Sequence, residues 1–187
     1  MKPLLETFKE TGALLEGHFL LRSGLHSREF FQCALLLQHA PIAAEVCRQL
    51  AEKAADIPRD GVISPATGGI VVGQEIARQL GTRHIFAEKD GEGGLVLRRG
   101  FEIKPGERYL IAEDVVTRGG RVQQTVDIVR QHGGLPVAVC VIVDRSGGNR
   151  PDFGCPFFSL IEMTPETFAP DRLPPDLANT PAIKPGS

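Results

Sequence analysis

Tyr109-Leu110-Ile111-Ala112-Glu113-Asp114-Val115-Val116-Thr117-Arg118-Gly119-Gly120 runs from an apolar stretch into two adjacent carboxylates and then into a glycine pair. The apolar start reads as a strand. Beyond the glycines, Val122, Val126 and Val129 recur at helical spacing, and Gly133-Gly134 ends that helix. Val137-Ala138-Val139-Cys140-Val141-Ile142-Val143 comes next, an apolar run rich in β-branched residues that suits a parallel strand buried on both faces. The order strand, loop, helix, strand is the unit of an α/β fold.

The same order recurs upstream. Gly61-Val62-Ile63 reads as a strand and Ser64-Pro65-Ala66-Thr67-Gly68-Gly69 as a loop. Ile70, Gly73, Ile76, Ala77 and Leu80 mark a helix that stops at Gly81, and His84-Ile85-Phe86-Ala87 is the next strand. Downstream, Phe157-Phe158-Ser159-Leu160-Ile161 reads as a last strand. The expected architecture is an open parallel sheet flanked by helices. Such sheets bind ligands at the carboxyl ends of their strands. That rule selects four loops: 64–69, 88–99, 113–121 and 144–152.

At the amino end, Leu4, Phe8, Thr11 and Leu15 predict a helix over 3–15 with Pro3 in its first turn. Gly17–Gly24 and Phe30-Phe31-Gln32-Cys33 read as short strands, and Pro41 opens a helix with Ile42, Val46, Leu50 and Ala54 on one face. Residues 164–187 hold six prolines and few apolar residues, which predicts a surface-hugging or loose tail.

The bulk numbers exclude more than they assign. The chain has 187 residues, 42% of them apolar, enough for one domain with a real core. Its 21 basic and 23 acidic residues give no global case for nucleic acid or membrane binding. Cys33, Cys47, Cys140 and Cys155 form no CxxC pair and no zinc spacing. Cys47 and Cys140 sit inside apolar runs and are expected to be buried thiols, in keeping with a reducing cytoplasm. No signal peptide and no membrane span is expected.

The stretch at 113–121 carries the chemistry. Glycines let backbone N–H groups point inward, and a helix N-terminus behind them favours an anion, so 117–121 can cradle a phosphate. Glu113 and Asp114 are unsuited to a phosphate but suit sugar hydroxyls, because carboxylates only accept hydrogen bonds. The pair beside an anion site suggests a ribose phosphate. The alternative is a strand-end acid pair and a glycine turn with no ligand. GxxxxGK[ST] is absent, and Gly91-Glu92-Gly93-Gly94 does not complete GxGxxG, so ATP and dinucleotide loops are disfavoured.

Leu110 to Gly120 resembles the phosphoribosyl-pyrophosphate motif of type I phosphoribosyltransferases: apolar residues, two acids, two apolar residues, Thr, a variable residue, Gly. Arg121 departs from it, since Ser or Thr is common there. Residues 12–162 more broadly resemble the orotate phosphoribosyltransferase branch. Phe19-Leu20-Leu21-Arg22-Ser23-Gly24 with Phe30-Phe31, Pro65 to Ile70, and Val143-Asp144-Arg145 carry that likeness.

The resemblance implies the type I fold with a small N-terminal hood, one domain over 1–187. The hood comprises about 1–40 plus the C-terminal segment, and the core about 41–162. It also implies transfer of the phosphoribosyl group to orotate, giving orotidine 5′-monophosphate and diphosphate, in pyrimidine (UMP) biosynthesis. Lys89, Asp114 and Glu113 would be catalytic. Arg22, Glu88, Lys89, Glu113, Asp114, Val115, Val116, Thr117, Arg118, Gly119, Gly120 and Arg121 would bind phosphoribosyl pyrophosphate. Phe30, Phe31, Thr117 and Arg145 would bind orotate. A guanidinium at 145 suits the orotate carboxylate, and aromatic rings suit the pyrimidine face.

Residues 87–94 resemble a shortened version of the mobile catalytic loop, with Lys89 matching a basic position and Glu88 standing where Arg is usual. Mg²⁺ is the implied cofactor, held through substrate and not by protein ligands alone. A cytoplasmic homodimer with shared active sites is implied, with no nucleic-acid or membrane partner. Two readings stay open beside it: the same fold acting on another base, and a non-catalytic nucleotide-sensing regulator that keeps the sugar-phosphate site.

Overall fold

The computed structural model describes residues 4–21 and 23–184. In chain order the elements are α1 (Leu4–Glu10), β1 (Leu14–Leu20), β2 (His26–Phe31), α2 (Cys33–Leu37), α3 (Ala40–Lys53), β3 (Gly61–Pro65), α4 (Gly68–Leu80) and β4 (Arg83–Lys89). Then come β5 (Leu95–Leu97), β6 (Arg108–Val116), α5 (Gly120–Gln131), β7 (Leu135–Asp144), β8 (Phe157–Glu162), β9 (Thr167–Phe168) and α6 (Pro175–Ala178). They form two compact units, one of residues 39–163 and one that joins 1–38 to 164–187.

The larger unit is built on a six-stranded sheet of order β5-β4-β3-β6-β7-β8. β4, β3, β6, β7 and β8 run parallel, as the apolar strand patterns predict, and β5 is added antiparallel to β4. β7 pairs on both sides and its last seven residues are all buried, which is why its sequence shows no polar alternation. The chain steps from β3 outward to β4, then returns to the other side of β3 and steps through β6, β7 and β8. Right-handed crossovers therefore carry α4 and α5 to opposite faces. Val122, Val126 and Val129 of α5 pack in one cluster with Ile63, Ile111, Val139 and Val141. The strand order reverses between β3 and β6, the switch point at which such sheets open a crevice.

The expected thiols are where the apolar runs put them. Cys47 and Cys140 are buried, and burial pushes both thiols up to about 12.

The smaller unit carries an antiparallel sheet of order β1-β2-β9. The helix expected over 3–15 ends at Glu10, because Ala13 N–H folds back to Phe8 O and Leu14 and Leu15 pair with Phe31 and Phe30. Strand pairing there overrides the helical period. The second short strand is His26–Phe31, and Cys33 opens α2 instead of closing that strand. The proline-rich tail hugs this unit and is bonded into it. β9 extends the sheet, Arg28 binds Asp176 through two nitrogens, and Ile183 N–H donates to His18 O at 2.8 Å. Pro3 and Arg22 lie outside the described residues.

Candidate active site

β3 and β6 end side by side at the switch point, and their loops meet there. Glu113 and Asp114 lie inside β6, two to three residues before its last residue Val116, not in the loop beyond it. Glu113 is 7% exposed and opposite Val141 in the register, whereas Asp114 is half-buried. Burial, with the adjacent Asp114 charge as a second cause, holds the Glu113 carboxyl well above its ordinary 4.5. Arg121 offsets part of this from the first turn of α5, where its guanidinium also donates to Gln124 Oε1 at 3.2 Å. Backbone amides steady the pair: Asp114 N–H donates to Glu113 Oε1 at 3.1 Å and Val115 N–H to Asp114 Oδ1 at 2.8 Å. One buried carboxyl that favours its proton sits beside one that meets solvent, a set suited to accepting and positioning hydroxyls.

The loop after β3 fits against these carboxylates through Gly68 and Gly69. A Cβ on Gly68 would lie 2.5 Å from Asp114 Oδ2, and one on Gly69 would lie 2.9 Å from Glu113 Oε1. Below the loop, Ser64 Oγ lies 2.8 Å from His84 Nε2, and burial lowers that imidazole to about 4, so it packs as a neutral ring.

Beyond Asp114 the chain turns into α5. Gly119 caps this helix at φ +73° and is buried under Pro151 and Phe153, where a Cβ would meet Pro151 Cδ at 2.6 Å. Thr117, Arg118 and Gly120 are exposed around it. The α5 amino end has no side-chain cap hydrogen bond, so its first N–H groups are not satisfied by a capping side chain. An uncapped helix amino end beside two carboxyl groups has the chemistry to take an anion and hydroxyls together.

Lys89 closes β4 and is exposed. The 88–99 segment is a hairpin: β5 pairs with β4, and Asp90 Oδ1 ties the turn by accepting from Glu92 N–H at 2.7 Å and Gly94 N–H at 2.9 Å. Glu88 is engaged by Arg99 through two hydrogen bonds of 2.9 and 2.8 Å, which holds its carboxyl below the usual range. Gln124 Nε2 reaches Gly93 O at 3.4 Å, so this hairpin borders the start of α5.

Arg145 comes directly after β7, half-buried, with its N–H donating to Val116 O at 2.7 Å. The fold thus brings 64–69, 88–99, 113–121 and Arg145 to the same ends of the parallel strands. In the other unit, Phe31 is 4% exposed and packs edge-on to Phe8 at 5.7 Å, while Phe30 is half-buried at 5.8 Å from Phe19. Phe31 thereby serves the core of its unit. Sequence reading missed the fit of the two loop glycines to the acid pair and the buried role of Asp144. The Asp144-Arg145-Ser146 spacing of a side-chain-to-backbone turn was the available signal for the second.

No group of three or more His, Cys, Asp or Glu side chains arranged to hold a metal occurs among the described residues. No helix among them is long and apolar enough to cross a membrane.

Comparison with known proteins identifies the family. The phosphoribosyl transferase domain model matches residues 35–169. Proteins named orotate phosphoribosyltransferase from Caldicellulosiruptor bescii and Carboxydothermus hydrogenoformans are each 47% identical, covering 98% of this chain and 95% and 96% of theirs. The crystal structure of orotate phosphoribosyltransferase from Aeropyrum pernix matches with a TM-score of 0.72 at 24% identity, covering 86% of this chain and 93% of that one. Adenine phosphoribosyltransferase from Thermoanaerobacter pseudethanolicus matches at 0.64 and 18%, covering 72% and 88%, so the fold alone does not choose the base. With near-complete coverage at that identity, and a domain match over 35–169, the chain belongs to the orotate phosphoribosyltransferase family.

Proposed function

We propose that this chain transfers the phosphoribosyl group of 5-phosphoribosyl 1-pyrophosphate to orotate, giving orotidine 5′-monophosphate and diphosphate, in the cytoplasm. The observation that carries the reading is the acid pair at the end of β6 leading straight into the open amino end of α5. The relatives' names supply the base.

In this reading the N–H groups at 117–121 hold the 5-phosphate, and Asp114 with Glu113 orients the ribose hydroxyls. The bond from C1 to the diphosphate oxygen breaks as the ribose gains oxocarbenium character, and the bond from C1 to the orotate ring nitrogen forms as that nitrogen gives up its proton to the departing diphosphate or to water. Lys89 stabilises the departing diphosphate. Glu88, neutralised by Arg99, leaves Lys89 as the cation of β4's end. Arg145 grips the orotate carboxylate.

The acid pair, with one member held towards its protonated form, fits a magnesium ion reached through substrate oxygens better than a protein cage. When bound, Mg²⁺ would screen the diphosphate charge. The active unit is read as a homodimer in which the 88–99 hairpin of one subunit serves its partner's site.

The test measures diphosphate release from phosphoribosyl pyrophosphate and Mg²⁺ with orotate, uracil and purine bases in turn. Orotate alone should give signal; silence with orotate and turnover of another base overturns the reading. Arg145→Ala should raise the orotate KM by roughly 10²-fold while the phosphoribosyl-pyrophosphate KM changes about twofold or less, as expected for loss of one charged clamp.

A further inference from the structure

We infer that Arg150 is a positioning residue for the base: it holds Asp144, and Asp144 holds the turn that presents Arg145. Asp144 ends β7 with 4% of its side chain exposed, a costly place for a carboxylate unless each oxygen is engaged. Its two oxygens have different tasks. Oδ1 accepts from Ser146 N–H at 2.8 Å, and Oδ2 accepts from Arg150 Nη1 at 2.9 Å. The Asp144 carbonyl also takes Met163 N–H at 2.8 Å, so the residue is fixed by backbone and side chain together.

Arg145 is therefore pinned on both sides. Its own N–H is bound to Val116 O at the end of β6, and the next N–H is bound to Asp144. Ser146 organises the turn beyond it, its Oγ accepting from Gly148 N–H at 3.2 Å and its carbonyl from Asn149 N–H at 3.0 Å. The chain then delivers Arg150 back to Asp144, with the guanidinium 4.0 Å from the centre of the Phe157 ring on β8. Residues 144–150 form a closed circuit, and Arg150 is the part that neutralises the buried charge on which it turns. With one nitrogen on Asp144 and its flat face on an aromatic ring, Arg150 acts through that carboxylate.

The inference rests on Arg145 contacting orotate, and the experiment separates the two. Arg150→Met keeps a stem over Phe157 and removes the cation. It should raise the orotate KM about tenfold with the phosphoribosyl-pyrophosphate KM within about twofold, because an uncompensated buried carboxylate disturbs the 145 turn and not the phosphate cradle. Asp144→Asn/Arg150→Met should return the orotate KM to within about threefold of wild type, since Asn keeps the oxygen for Ser146 N–H without a charge to neutralise.

A purely structural role would move both KM values together, or leave the double variant no better than Arg150→Met; either result overturns the inference. Should Arg150→Met not fold, the double variant decides alone: a near-wild-type orotate KM supports the inference, and a rise above tenfold or failure to fold overturns it. If wild type turns over another base and not orotate, the orotate reading is what has failed, and the inference falls with it.

Discussion

The acid pair at 113–114 and the hairpin at 88–99 flank the same strand ends and are made in opposite ways. Glu113 is sunk in the sheet, close against Gly69 of the loop, and forced towards its protonated form by burial. Glu88 and Lys89 sit on an exposed hairpin whose shape comes from a side-chain tie at Asp90 and a solvent-facing pair with Arg99. The buried region can hold a sugar in one orientation because nothing in it can move far. The hairpin is anchored to the core through Leu95 and Leu97 of β5, while Lys89 itself stays exposed. Under the proposed function, the buried pair serves orientation and the exposed cation serves release.

Substitutions can break that contrast at either end. The largest effect is expected at Gly119, where Gly119→Ala meets both a left-handed φ and Pro151. It should cost roughly 2–4 kcal/mol and lower Tm by about 5–10 °C, and kcat/KM for phosphoribosyl pyrophosphate should drop together with it. A Tm within a degree of wild type would show the floor to be softer than its packing implies.

Lys89→Ala should leave Tm unchanged and cut turnover roughly 10²-fold, the scale of one lost transition-state charge contact. Because the hairpin is read as serving a partner subunit, mixing Lys89→Ala with Asp114→Asn should recover activity. No recovery after demonstrated subunit exchange would place the hairpin over its own site.

Glu113→Gln addresses stability. The folded chain holds this proton more tightly than the unfolded chain does. The group's contribution is therefore full below about 4.5 and is lost as pH rises through the raised folded value. The variant, which never ionises, should melt a few degrees above wild type near pH 8, about 3 °C by the usual size scaling, and match it near pH 4. A variant less stable at pH 8 would mean that the carboxylate is charged and well solvated in the fold. The smallest effect belongs to Glu88→Gln, which breaks a solvent-facing pair with Arg99 and should shift Tm by about 1 °C or less.

Much of the fold and site is legible in the residues, for identifiable reasons. The parallel sheet is readable from runs such as Val137–Val143, because a strand buried on both faces has no polar alternation to confuse with a helix. The acid pair and the glycine turn stand out because each is chemically unusual at a strand end. The antiparallel β5 is hidden, since Leu95-Val96-Leu97 is too short to carry a period and gains its identity only from β4. The path of the chain at Leu14-Leu15 departs from the helical expectation because pairing with Phe30-Phe31, distant in sequence, decides it. The Arg150 contact with Asp144 leaves no sequence signal, since nothing in a span of six residues announces that a loop returns on itself.

Cys140 lies at the centre of β7, between Ala112 of β6 and Phe158 of β8, with its thiol pushed up to about 12. Only a thiolate is alkylated readily, so this sulfur is silent while the sheet is closed and reactive once the strands part. Its rate of labelling in neutral buffer is a clock on opening of the β6–β7–β8 layer. Ligands that close the crevice should slow that clock without touching the sulfur, turning a residue with no part in the chemistry into a gauge of how firmly the floor of the site is shut.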